Sequence, residues 1–389
     1  MGECTIVAAD CSQMTIYLDY NATTPVDPAV VVRMQRVLAD LHGNPSSVHH
    51  PGQQANAEVT RSRQEVAALL GARPDEIVFT GGGSEANNLA LKGTAFRHGS
   101  GRLVTQLTEH PSVLEPLGFL EKLGYDVVRL PVDQTGLVDP DAVRKSINAD
   151  TILVSIQHAN AETGAIQPIE AITAIARQHG VSVHVDAAQS VGKIPVLVEE
   201  LGVDFLSLAG HKLYGPKGVG VLYVRSGLEP VSLIHGASHE HGRRAGTEAV
   251  HQMAGLAEAC QLLGDGSTAE TCARLRVLRD RLHDSLRAAI PELALHGPQE
   301  LRLPNTLNVG FPNIAGADLL QAAPEIAAST GSACHEGSLS LSPVLEAMGI
   351  GPATGRGALR LSLGKPTTEA EVDRASEILV AAYHRSSGS

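Results

Sequence analysis

Short β-branched runs alternate through the first part of the chain with segments whose apolar residues recur at helical spacing. Residues 76–80, 103–107, 151–156, 181–185, 204–208 and 219–224 predict strands, and residues 58–70 and 168–178 predict helices. Strands separated by helices imply a mainly parallel sheet covered on both faces, an α/β arrangement. After about residue 264 the texture changes. A charged helical stretch, 270–289, is followed by strand-like runs at 305–311 and 358–363. The pattern therefore predicts a large α/β domain over residues 28–268. A smaller α+β domain over 269–389 is completed by the N-terminal segment 1–27.

The chain has 389 residues, 43% of them hydrophobic, enough for a large core. A formal charge of −12 gives no electrostatic reason to bind nucleic acid directly, and aromatic residues at 3% with no Trp argue against a base-stacking platform. No apolar run approaches the roughly 20 residues of a membrane span, and residues 1–10 lack the basic start of a signal peptide. The five cysteines, Cys4, Cys11, Cys260, Cys272 and Cys334, are odd in number and form no CxxC pair. That suits a reducing cytoplasm better than a disulfide framework.

Candidate chemistry concentrates at strand ends. Lys212 sits between the apolar run 204–208 and a glycine-rich turn. A lysine there is costly as an ammonium and less so as a neutral amine able to attack a carbonyl. Asp186 ends another apolar run. A carbonyl-binding lysine and an aspartate for a pyridinium nitrogen are the two handles a pyridoxal phosphate site requires, though each alone is also an ordinary turn or cap residue. Residues 76–88 read as strand, glycine turn and helix start, with Gly83 and Ser84 at the turn. Such a turn either receives a phosphate or is a plain connection with a serine cap. His110, after Thr108 and Glu109, is placed to stack on a planar ring or is simply structural. Cys334 lies among Gly, Ser and Ala, the setting of a nucleophile that must travel or of an inert thiol. His239-Glu240-His241 lacks a third residue at metal-ligand spacing, so no metal is expected.

Taken together, several segments resemble the cysteine desulfurases, pyridoxal phosphate enzymes of aminotransferase class V. They are residues 17–25, 43–47, 81–88, 108–110, 184–190, 210–216, 244–247, 331–334 and 359–364, in family order. The resemblance implies a fold-type I transferase architecture, pyridoxal 5'-phosphate as cofactor and a homodimer. It implies that Lys212 binds the cofactor covalently, Asp186 pairs with its ring nitrogen, Gln189 with its phenolic oxygen, and His110 stacks on the ring and relays protons. Gly83, Ser84 and His211 would bind the phosphate, and Thr247 the phosphate of the partner subunit. Arg360, with Asn44 nearby, would hold the carboxylate of L-cysteine. Cys334 would take the substrate sulfur as a persulfide and pass it to a protein acceptor, in iron–sulfur, thiolation or DNA phosphorothioation chemistry. Two positions depart from the family pattern: Ala161 replaces an Asn beside the cofactor, and Ala209 a Ser or Thr that donates to the phosphate. Each loses a hydrogen bond worth on the order of 1 kcal/mol. The segment around Cys334 and His335 is also similar to that of selenocysteine lyases, and the two alanines would equally suit a non-catalytic scaffold subunit. The sequence ends soon after the small domain, without the longer extension that implies docking of the usual scaffold partner.

Overall fold

Residues 15–330 and 341–387 are described by the computed structural model, which leaves Cys4, Cys11 and Cys334 outside the described residues. Twelve strands lie among them. In chain order they are β1 (Ile16–Tyr17), β2 (Ile77–Thr80), β3 (Arg102–Gln106), β4 (Asp126–Leu130), β5 (Thr151–Gln157) and β6 (Ser182–Asp186), then β7 (Phe205–Ala209), β8 (Gly220–Val224), β9 (Ala294–His296), β10 (Thr306–Gly310), β11 (Ile326–Ala327) and β12 (Ala358–Ser362).

Seven of these form one sheet in the order β2-β8-β7-β6-β5-β3-β4. Strands β3 to β7 run parallel, and β8 alone opposes both its neighbours. Neighbouring residues of a strand point to opposite faces, so a doubly covered sheet needs apolar residues at consecutive positions. Leu103, Leu153 and Phe205 face one cluster with Leu89, Leu117 and Leu120 from the helices Gly83–His98 and Pro111–Lys122. Val104, Val154 and Leu206, one residue on in each strand, face the other cluster with Ile169, Ile172 and Leu256. Each such side chain, fully buried, contributes about 1.5–3 kcal/mol.

The predicted strands each fall within a residue or two of an observed one. The edge strand β4 was not predicted from the sequence; Val127 and Val128 are only partly buried and Leu130 alone is buried, so its pattern is weak. The smaller α+β unit pairs β10 antiparallel with both β9 and β12. Helices Thr268–Ala289 and Glu369–Ser387 cover that sheet through Leu278, Leu282, Leu286, Val372 and Leu379. Ile16 and Leu18 of the N-terminal segment join the same cluster, with β1 parallel to β11. No helix among the described residues is long and apolar enough to cross a membrane.

Candidate active site

Strands β2, β3, β5, β6 and β7 end on the same side of the sheet, the side where open α/β sheets bind ligands. The residues that follow them meet around a cavity of about 430 Å³. Gly83, Ser84, His110, Ala161, Asp186, Gln189, Ala209, His211, Lys212 and Arg360 all line it. Two residues singled out in the sequence do not. Asn44 is exposed and uses its carboxamide oxygen to close a local turn on the Ser46 N–H at 2.9 Å. Thr247 is exposed and stands outside the cavity lining of its own chain.

Lys212 follows β7 in a single 3₁₀ turn, Gly210–Lys212. Its Nζ donates to the carbonyl of Ala22 at 2.8 Å and to that of Asn21. Burial, reinforced by the positive charge of Arg360, lowers its pKa to about 8. A much larger share of the amine is thus uncharged near neutrality than in water. Asp186, at the end of β6, is held on both carboxylate oxygens: Oδ2 accepts from Asn87 Nδ2 at 2.7 Å and Oδ1 from the Ala188 N–H at 2.9 Å. Behind it His184 lies between Ser155 and Ser207 at 2.8 and 3.0 Å, and burial lowers its pKa to about 4, so it packs as a neutral ring.

The helix Gly83–His98 starts directly after the glycine turn, so the N–H groups of its first turn have no partner within the helix. Gly82 has φ +150°, a conformation that favours glycine. Glu85 folds back on the turn: its Oε2 accepts from the Gly81 N–H at 2.7 Å, and its Oε1 from Arg244 Nε at 2.9 Å. The methyl of Ala209 would lie 3.2 Å from a Cβ at Gly83, so strand end and turn are in close contact. His211, beside the turn, has its pKa lowered to about 4 by burial and by Lys212 and Lys217.

Asn21, which lies in the 17–25 segment but was given no role of its own, ties these parts together. Its carbonyl accepts from Lys212 and from Gln189 Nε2, and its side chain reaches Ala161 O, Thr306 and Asn305. Its Oδ1 also accepts from Lys193 Nζ at 2.9 Å. Lys193 is a second, half-buried lysine, and desolvation lowers its pKa well below the usual range. Nothing in the sequence near Asn21 announces this, because its partners lie more than 100 residues away.

Arg360 lies on β12, and its Nη2 reaches Asp19 at 2.7 Å. Glu162 sits nearby, its carboxyl accepting from Ser342 Oγ at 2.6 Å and raised by burial to about 7. Glu240 of the His239–His241 segment is engaged by Arg63, through two contacts of 2.7 Å, and by the Phe79 N–H. No group of three metal-ligating residues stands among the described residues.

A desolvated amine, an anchored carboxylate, a helix start with free N–H groups and an arginine thus share one cavity. That donor set fits pyridoxal phosphate with a carboxylate-bearing substrate, and the fold carrying it defines a pyridoxal phosphate-dependent enzyme of fold type I. Residues 16–375 match the aminotransferase class-V family. The chain is 43% identical to a cysteine desulfurase IscS of Dictyoglomus turgidum (strain DSM 6724 / Z-1310) over 368 residues, 94% of this chain and 93% of that one. A solved NifS-like protein superposes with TM-score 0.89 at 38% identity, covering 95% of this chain and 99% of that one. SspA in complex with cysteine does so with TM-score 0.79 at 37% identity, covering 90% and 99%. The chain belongs to the cysteine desulfurase family.

Proposed function

We propose that the cysteine desulfurase activity of this chain runs through Lys212, Asp186, His110, Arg360 and Cys334. L-cysteine and the Cys334 thiol give L-alanine and a Cys334 persulfide. The substrate C–S bond breaks as an S–S bond forms, the carbon gains a proton, and no outside oxidant is needed. When bound, the cofactor supplies an electron sink for the charge left when the substrate Cα loses its proton. The chain's own residues do the rest. Arg360 binds the substrate carboxylate. Asp186 favours a protonated ring nitrogen. Lys212 Nζ binds the cofactor and, when freed from it, carries protons. Ser84, His211 and the turn at Gly83 hold the phosphate, and Gln189 reaches the phenolic oxygen. Relative to the family pattern, Ala161 removes one amide donor to that oxygen, and Ala209 one hydroxyl to the phosphate.

The observation that carries this reading is that Lys212, Asp186, His110 and Arg360 converge on one cavity at the strand ends. Borohydride reduction of the yellow enzyme followed by peptide mapping tests it. Label on the Lys212 peptide, with alanine formation abolished in Lys212→Ala, supports the assignment; label on another lysine refutes it. Cys334→Ser is expected to keep the cofactor absorbance and lose both persulfide and cysteine turnover.

The reading extends to a homodimer in which Thr247 and Asn44, away from their own chain's cavity, serve the partner's site. It extends also to a cytoplasmic location and a protein acceptor for the sulfur, since a net charge of −12 disfavours direct contact with nucleic acid. The division into a large unit, 28–268, and a small one, 269–389 completed by 1–27, is part of the same proposal.

A further inference from the structure

Along the cavity wall, a chain of hydrogen bonds runs from Asp186 to His110 through Asn87 and Ser112. The Asn87 carboxamide is buried and lies between Asp186 and Ser112, with Nδ2 2.7 Å from Asp186 Oδ2 and 2.8 Å from Ser112 Oγ. Ser112 Oγ is in turn 2.7 Å from His110 Nδ1. The Ser112 backbone N–H donates to the same ring nitrogen at 3.1 Å, with His110 acting as the N-cap of the helix Pro111–Lys122.

We propose that Asn87 and Ser112 are positioning residues that bind Asp186 to His110 and hold His110 as the neutral tautomer with its proton on Nε2. The inference rests on the reading of Asp186 and His110 given above.

Each proton in the chain is fixed by the one before. The Asp186 carboxylate can only accept, so the carboxamide must turn its NH₂ toward it; an amide oxygen in that place would be repelled. The NH₂ has a second hydrogen, and it points to Ser112 Oγ. The serine oxygen, already accepting, gives its own hydrogen to His110 Nδ1. The backbone N–H of Ser112 can only donate, and its partner is also Nδ1. Two donors meeting at Nδ1 leave no room for a proton there, so the neutral ring carries its hydrogen on Nε2. Asn87 Oδ1 is buried without a hydrogen-bond partner among the described residues, a cost the fold accepts with the amide in this orientation.

The consequence concerns how His110 can act. Charging the ring requires a proton on Nδ1, which displaces the Ser112 hydroxyl hydrogen and sets the ring against the N–H it caps. Burial and the charge of Lys212 work in the same direction, against the attraction of Asp186. His110 therefore meets the cavity as a hydrogen-bond donor through Nε2, in a geometry tied to the Asp186 carboxylate.

The test uses nitrogen-15 NMR of histidine-labelled enzyme, first without cofactor and then with it, His110 being assigned from His110→Gln. The wild-type apoenzyme is expected to show a pyridine-type Nδ1 and a protonated Nε2 at neutral pH. In Ser112→Ala the Nδ1 resonance should move downfield, as a pyridine-type nitrogen does on losing a hydrogen bond, and Ser112→Thr should restore it. In the holoenzyme, Ser112→Ala and Asn87→Ala should each lower kcat on the order of tenfold with little change in KM, the size of one lost hydrogen bond. A proton on Nδ1 in the wild-type apoenzyme, or a resonance unmoved by Ser112→Ala, overturns the proposal. Either result concerns the tautomer alone, whereas borohydride label on a lysine other than Lys212 would refute the functional reading and leave the NMR result standing. Because Asn87 is fully buried and its variant can fail to fold, the half-buried Ser112 carries the decision.

Discussion

Arg360 Nη2 donates to Asp19 Oδ1 at 2.7 Å, joining the last strand of the small sheet to the N-terminal segment. In this arrangement the guanidinium proposed to bind the substrate carboxylate is already paired with a carboxylate of the chain itself. The incoming substrate has to share or displace it. Asp19→Asn removes the competing charge but keeps an oxygen acceptor. It is expected to lower KM for cysteine severalfold, the range of a partly exposed ion pair, while kcat falls because the guanidinium is less well aimed. Arg360→Ala should instead raise KM by roughly a hundredfold, as expected for loss of a charge-assisted pair. Steady-state kinetics separates the two variants.

Lys212 adds a stability signature that needs no turnover. Its pKa falls from an ordinary 10.5 to about 8 in the folded apoenzyme. The unfolded chain therefore binds more protons between these values, and stability rises with pH across that window. Below about 8 the full penalty of a buried ammonium applies. Lys212→Met should raise the apoenzyme's Tm at neutral pH, and the gain should shrink as pH approaches 10.5. Thermal melts of the two apoproteins across that range check the prediction; a gain independent of pH would contradict it.

Glu109 shows the opposite sign. Burial, reinforced by Asp186, raises its pKa to about 8, although its Oε1 accepts from the Gln157 N–H at 2.6 Å and from Gln106. A raised carboxyl favours the fold at low pH, and that contribution is lost as pH climbs through about 8. Glu109→Gln keeps the acceptor oxygen and removes the charge. It should be near neutral in effect at pH 5 and stabilising on the order of 2 kcal/mol at pH 9. Urea denaturation at the two pH values measures the difference.

Arg63 and Glu240 form a buried, two-pronged pair that also takes the Phe79 N–H, fixing the loop that leads to Thr247 against β2. Removing one partner leaves a buried charge alone. Arg63→Ala should cost about 3–5 kcal/mol. Because Glu240 and His241 sit at positive φ in this loop, its conformation should relax as well. If Thr247 serves the partner's phosphate, cofactor affinity should drop with stability. Cofactor titration of Arg63→Ala at a temperature where it remains folded tests this.

What the sequence disclosed and what it withheld divide along physical lines. Lys212, Asp186 and the Gly83 turn announce themselves because each polar or glycine-rich signal ends or closely follows a mostly apolar strand. The antiparallel β8 was legible only indirectly. The segment between β7 and β8 holds no helix beyond the turn Gly210–Lys212, too little for a parallel crossover. Asn87 and Ser112 look like ordinary residues near the starts of their helices until the two helices are packed side by side. Asn21 is invisible in one dimension, since its importance lies wholly in its distant partners.

The Asn21 backbone N–H is bonded to Ser362 Oγ, 341 residues further on. During synthesis, the residue whose carbonyl receives the Lys212 amine waits for β12 to emerge before that support exists. The seven-stranded sheet can form well before that moment, since domains fold as units from the amino end. A chain lacking β12 would own the lysine and the aspartate without the Ser362 contact that supports the Asn21 backbone beneath them.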